Sequence, residues 1–112
     1  MRNSRTTAIA IATASFLILL ASKDCQAETL EQRGRVIARG MCSGCHAIGK
    51  TGDSPHLAAP RFRMLDNRMD LSKLARRIRE GLLTGHEDMP MLRFGRDDAD
   101  AMAAYIRSIQ GP

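Results

Sequence analysis

Apolar and small positions recur at helical spacing in three stretches of the chain. From Thr29 onward, Leu30, Gly34, Ile37, Ala38 and Met41 follow one another at steps of four, three, one and three, which draws one face of a helix. Thr29 with Gln32 three positions later supplies a capping box at its start. Gly34 costs this helix about 1 kcal/mol of propensity relative to alanine, an expense that makes sense where another helix crosses closely. A second helix is predicted over 70–83, with Leu71, Leu74, Ile78 and Leu82 on one stripe and Gly85 just beyond its end. The third is predicted over 96–109, with Met102, Tyr105, Ile106 and Ile109 on its apolar stripe. Asp97, Asp98 and Asp100 suit the positive end of that helix's dipole. No alternating strand pattern and no internal repeat interrupts this order, so the fold class expected is all-α.

Two stretches depart from the helical pattern. Between the first and second helices runs a loop of 23 residues, Ala47 to Met69, which contains Pro55 and Pro60 and has room for a short helical turn after Pro60. So long a loop in so small a domain argues that it wraps something other than protein. At the start of the chain, two arginines precede a run that is apolar or small from Thr6 to Ala21, and small residues return at Ala27. That sequence of charge, apolar run and small exit reads as a secretory signal peptide over 1–27, with an uncleaved anchor as the alternative. Cleavage after Ala27 leaves a single domain over 28–112 and exports it to a compartment where thiols tend to be oxidised or otherwise occupied.

Composition sharpens the picture. The 112 residues carry a net charge of +5, and removal of 1–27 leaves 14 basic and 11 acidic side chains. A balance that even gives no case for nucleic acid as a partner. With no tryptophan, one tyrosine and three phenylalanines, one of them in the leader, the apolar core is meagre. Chains of this size commonly need a disulfide, a metal or a cofactor as a staple.

Cys42-Ser43-Gly44-Cys45-His46 supplies one. Cys-x-x-Cys-His is the attachment signature of c-type haem. Two thiols at this spacing add across the vinyl groups on one porphyrin edge, and the next histidine then reaches the iron. Other readings of the motif make specific demands. A thioredoxin-like pair needs a βαβ setting, a zinc site needs a fourth ligand such as His56 or His86, and a plain disulfide needs only the two cysteines. For the second axial position, Met89 is favoured because Pro90 holds it extended in a stiff loop and thioether sulfur suits haem iron. His86 in the same loop is the runner-up, with Met91 behind it. Met41, Met64, Met69 and Met102 lack such a loop and are read as core. His56 reads as a surface or supporting residue, and Phe62 and Phe94 as packing against the cofactor or as loop anchors. Lys73, Arg76 and Arg77 form either a solvated helix face or a docking patch, weakened by Glu80.

The leader, the Gly34 helix, Cys42-x-x-Cys45-His46, the proline-containing loop, Met89-Pro90 and the closing Ala104-Tyr105-Ile106-Arg107-Ser108-Ile109 together resemble a small bacterial class I cytochrome c over residues 28–112. The resemblance implies first and last helices that cross, with Gly34 facing Tyr105. A middle helix and long loops would then wrap one covalently bound haem c. It also implies a proline carbonyl as acceptor for the proximal histidine's Nδ1 proton, with Pro55 slightly preferred to Pro60. The lack of tryptophan leaves Arg61, Arg63 or backbone groups for the propionates. The function implied is periplasmic electron transfer without enzymatic turnover. Redox proteins would serve as donor and acceptor, among them membrane-bound respiratory complexes or a dehydrogenase. A haem protein with a labile or open sixth site, reacting with gas or peroxide, is the competing function.

Overall fold

The computed structural model describes residues 27–81 and 88–111. The leader up to residue 26, Leu82, Gly85 and His86 lie outside the described residues. Three α-helices, α1 (Leu30–Met41), α2 (Leu74–Glu80) and α3 (Arg96–Ser108), are joined by loops that hold 3-10 turns at Phe62–Asn67 and Leu71–Lys73. Among the described residues there is no strand, as the all-α expectation required. No helix among them is long and apolar enough to cross a membrane.

The start of α1 follows its sequence signal. Thr29 accepts from the Gln32 N–H at 3.2 Å, and the Gln32 side chain accepts from the Thr29 N–H at 2.8 Å. α1 then crosses α3 at Gly34. A Cβ added there would lie 2.7 Å from Tyr105 Cβ and would overlap the Ala101 carbonyl. Glycine is therefore a steric requirement of the crossing. Arg33 bridges the same two helices, with Nη2 at 2.6 Å from Asp98 Oδ1. Asp98 thus serves as an interhelical partner as well as a first-turn acid.

The stripe read from α3 is the core: Met102, Tyr105, Ile106 and Ile109 are all buried, together with Leu74 and Ile78 of α2. Phe62 and Leu65 of the first 3-10 turn complete it, and Phe94 packs against its edge as a loop anchor. Met69 also packs against this cluster. Met41 corrects its assignment to the core. It is 54% exposed and turns toward a cleft described below.

The second helix needs correction at both ends. Asp70 accepts from the Ser72 N–H at 2.9 Å and the Ser72 hydroxyl at 2.6 Å, which winds the first turn into a tight 3-10 form. The α-helix begins only at Leu74 and stops at Gly81, whose φ of 92° lies in the left-handed region. Glycine enters that region without the steric cost a Cβ would bring.

Candidate functional site: a cleft around the cysteine–histidine turn

The end of α1 folds directly into the motif. The Cys42 and Ser43 N–H groups donate to Ala38 O, at 2.9 and 3.1 Å, and the Cys45 and His46 N–H groups both donate to Cys42 O, at 3.1 and 2.9 Å. This tight turn points Cys42 and His46 inward, each 7% exposed, and leaves Cys45 exposed. Both cysteines are free thiols, so the turn is not a disulfide. Burial pushes the Cys42 thiol up to about 11. Among the described residues no three His, Cys, Asp or Glu side chains gather as a zinc site would need.

His46 is held on its far side. Its Nδ1 lies 2.7 Å from the Pro60 carbonyl oxygen. A carbonyl has only lone pairs to offer, so Nδ1 carries the proton and the in-plane lone pair of the neutral ring resides on Nε2. The slight preference for Pro55 is thereby corrected. The loop's path decides between the two prolines. The Phe62 N–H donates to Ala47 O at 2.9 Å, which brings Pro60 back under the histidine. Phe62, two residues after Pro60, is buried and sets its ring 5.0 Å from the imidazole at 45°. Leu57, two residues after Pro55, is 101% exposed and anchors nothing.

The loop that carries Pro60 is tied down along its length. Ser54 Oγ accepts from the Ala47 N–H at 3.0 Å, and the Tyr105 hydroxyl donates to Ile48 O at 2.8 Å. Arg61 pairs with Asp53 at 2.5 Å and Arg63 donates to Gly52 O at 2.9 Å, so the two arginines considered for propionates both hold the loop itself. Gln110 was not singled out by the sequence. Its amide donates to Phe62 O at 2.8 Å and accepts from the Asp66 N–H at 3.0 Å, pinning the 3-10 turn to the end of the chain.

The same cleft is lined by Met89, Pro90 and Leu92, together with Met41 and Ala59 and the polar side chains of His56 and Asp88. Met89 is half-buried there. The structure therefore brings Cys42, Cys45, His46 and Met89 to one cleft from stretches more than forty residues apart in the chain.

This donor set fits a c-type haem. Two free thiols lie one turn apart, the imidazole presents its Nε2 lone pair, a soft sulfur faces the same cleft, and the walls are largely apolar. No curated protein and no solved structure matched the chain closely enough to add to this. A family model for cytochrome c matches residues 31–110, from α1 to the last turn after α3. The chain belongs to the cytochrome c family, as a small class I member that carries covalent haem c and transfers electrons through it.

Proposed function

We propose that this chain is a periplasmic one-electron carrier. Cys42 and Cys45 would hold a haem through thioether links, and His46 and Met89 would supply the two protein ligands to its iron. The observation that carries the reading is the convergence of those four side chains on one cleft, with the His46 Nδ1–H committed to Pro60. When bound, the haem supplies an iron that alternates between ferric and ferrous forms. Everything else falls to the protein. The Pro60 carbonyl fixes the orientation of His46 and raises its basicity as a ligand. The Met89 thioether favours the reduced form and raises the potential relative to a second histidine. Met41, Ala59, Pro90 and Leu92 give the cleft its apolar lining. With His46 and Met89 both bound to the iron, no position would be left for substrate, and the chain would act as a carrier rather than an enzyme. The leader pattern at 1–27 supports export and cleavage after Ala27. Its partners are then a donor and an acceptor redox protein outside the cytoplasm, either membrane-bound respiratory complexes or a dehydrogenase.

The ligand assignment is tested by substitution in the haem-loaded protein. Met89→Ala removes the weak long-wavelength iron–sulfur band of the oxidised form and opens the reduced form to carbon monoxide. His86→Ala leaves both unchanged. Loss of the band in His86→Ala with retention in Met89→Ala overturns the assignment. Carbon monoxide binding to the unaltered protein at neutral pH favours the open-site function instead.

A further inference from the structure

His56 and Asp88 stand on opposite loops of the cleft. His56 belongs to the loop that runs from His46 to Pro60, and Asp88 immediately precedes Met89. The His56 Nε2 lies 3.2 Å from Asp88 Oδ2. On the other side of the ring, the Ala58 N–H donates to His56 Nδ1 at 3.2 Å. An accepting Nδ1 puts the ring proton of the neutral imidazole on Nε2, so Nε2–H donates to the Asp88 carboxylate. The His56 backbone N–H in turn donates to Cys45 O at 3.1 Å, which mounts the ring on the cysteine–histidine turn. Both side chains line the cleft beside His46 and Met89. From Asp88 to Gly95 the chain has no helix or strand to hold it, so side-chain ties have more influence there than inside a helix.

We propose that the His56–Asp88 pair is a strap that holds the Met89 loop closed over the cleft. His56 and Asp88 are then positioning residues for the sixth ligand. The inference rests on Met89 being that ligand. The strap acts on the balance between a closed loop with Met89 engaged and an open loop with Met89 withdrawn. An added ligand that takes the vacated position binds in proportion to the open fraction, so its apparent affinity reports that fraction directly. Both side chains are partly exposed, at 37% and 74%, which keeps the effect within the range of surface pairs. Cutting the strap is expected to raise the open fraction by about two- to five-fold.

The test is titration of the oxidised, haem-loaded protein with imidazole, together with denaturant unfolding. The variants are His56→Ala, Asp88→Ala and the pair combined. Each single variant is expected to bind imidazole about two- to five-fold more tightly than the unaltered protein, at a closely similar unfolding midpoint. The double variant is expected to match the singles, because either change cuts the same bond. Unchanged imidazole affinity in His56→Ala overturns the strap, as do single effects that multiply in the double variant. The iron–sulfur band of the unaltered protein separates the two possible failures. Its absence fails the Met89 assignment and the strap with it, whereas its presence alongside unchanged affinities fails the strap alone.

Discussion

Replacing Gly34 with alanine puts the helix crossing under direct stress. In an isolated helix the change is favourable by about 1 kcal/mol. At this crossing the new methyl would sit 2.7 Å from Tyr105 Cβ, about 0.7 Å short of the 3.4 Å at which ordinary contact begins, and it would overlap the Ala101 carbonyl. Neither obstacle is the far end of a flexible side chain, so relief requires α1 and α3 to part. Overpacking of this kind costs about 1–3 kcal/mol, and main-chain obstacles put Gly34 at or above the top of that range. A gap of about 0.5–1 Å also forfeits a quarter to a half of each dispersion contact along the seam. The net expectation is a loss of about 2 kcal/mol, or roughly 8–16 °C in Tm for a domain of this size. Gly40 is the internal control. It lies on the same helix, and a Cβ there meets nothing within 4 Å, so Gly40→Ala is expected to stabilise by about 0.5 kcal/mol. The assay is thermal and denaturant unfolding of the haem-loaded protein followed by helical circular dichroism. A Gly34→Ala protein as stable as the unaltered one refutes the steric argument, and so does a shift of both variants in the same direction.

Three further outcomes are expected. Tyr105→Phe removes the hydroxyl that holds Ile48 O two residues beyond His46, and is expected to cost about 1 kcal/mol in denaturant unfolding; an unchanged midpoint would show that the bond contributes nothing. The Ser72 hydroxyl, then the Ser72 N–H and Lys73, hold the Asp70 carboxyl down at about 2 against an ordinary 3.8. A depressed acid stabilises the fold above its unfolded value and loses that contribution as it becomes protonated. The stability advantage over Asp70→Asn, which keeps a capping oxygen, is therefore expected to be full above pH 4 and to vanish as pH falls toward 2. A difference between the two proteins that is constant across that window would contradict the assignment. Charge reversal at Lys73, in the 3-10 turn before α2, and at Arg77 of α2 tests whether this basic surface guides partners. Electron transfer is expected to slow at low salt and to converge with the unaltered protein as salt rises, whereas rates that do not respond to salt eliminate docking through this face.

The parts of this protein that were legible in sequence are those governed by local rules. Thr29 and Gln32 mark a helix start because capping needs only four residues, and the α3 stripe reads correctly because a helix buries one face. Gly34 was informative for the opposite reason: a residue poor for the helix must answer to a neighbour outside it. The Cys42–His46 motif carries its chemistry in its spacing. The rest depends on long-range bonds that leave no periodic trace. Pro55 and Pro60 are equivalent as dipeptides, and only the return of the Phe62 N–H to Ala47 O selects Pro60. Asp70 drew the second helix start four residues too early, because its bonds to Ser72 favour a 3-10 turn over an α-helical one. Met41 fits the α1 stripe by spacing, but at the last turn that stripe has passed from the core to the cleft wall. Gln110 and the His56–Asp88 pair join positions 44 and 32 residues away in the chain, where a polar side chain carries no sign of its partner.

The most direct measurement is the visible spectrum of the full-length chain expressed with c-type haem maturation, oxidised and reduced, followed by denaturation of the same sample. The account predicts haem that stays on the chain after denaturation, together with the long-wavelength iron–sulfur band in the oxidised native form. Haem lost on denaturation would contradict attachment at Cys42 and Cys45. Covalent haem without the band would contradict Met89 as the ligand opposite His46.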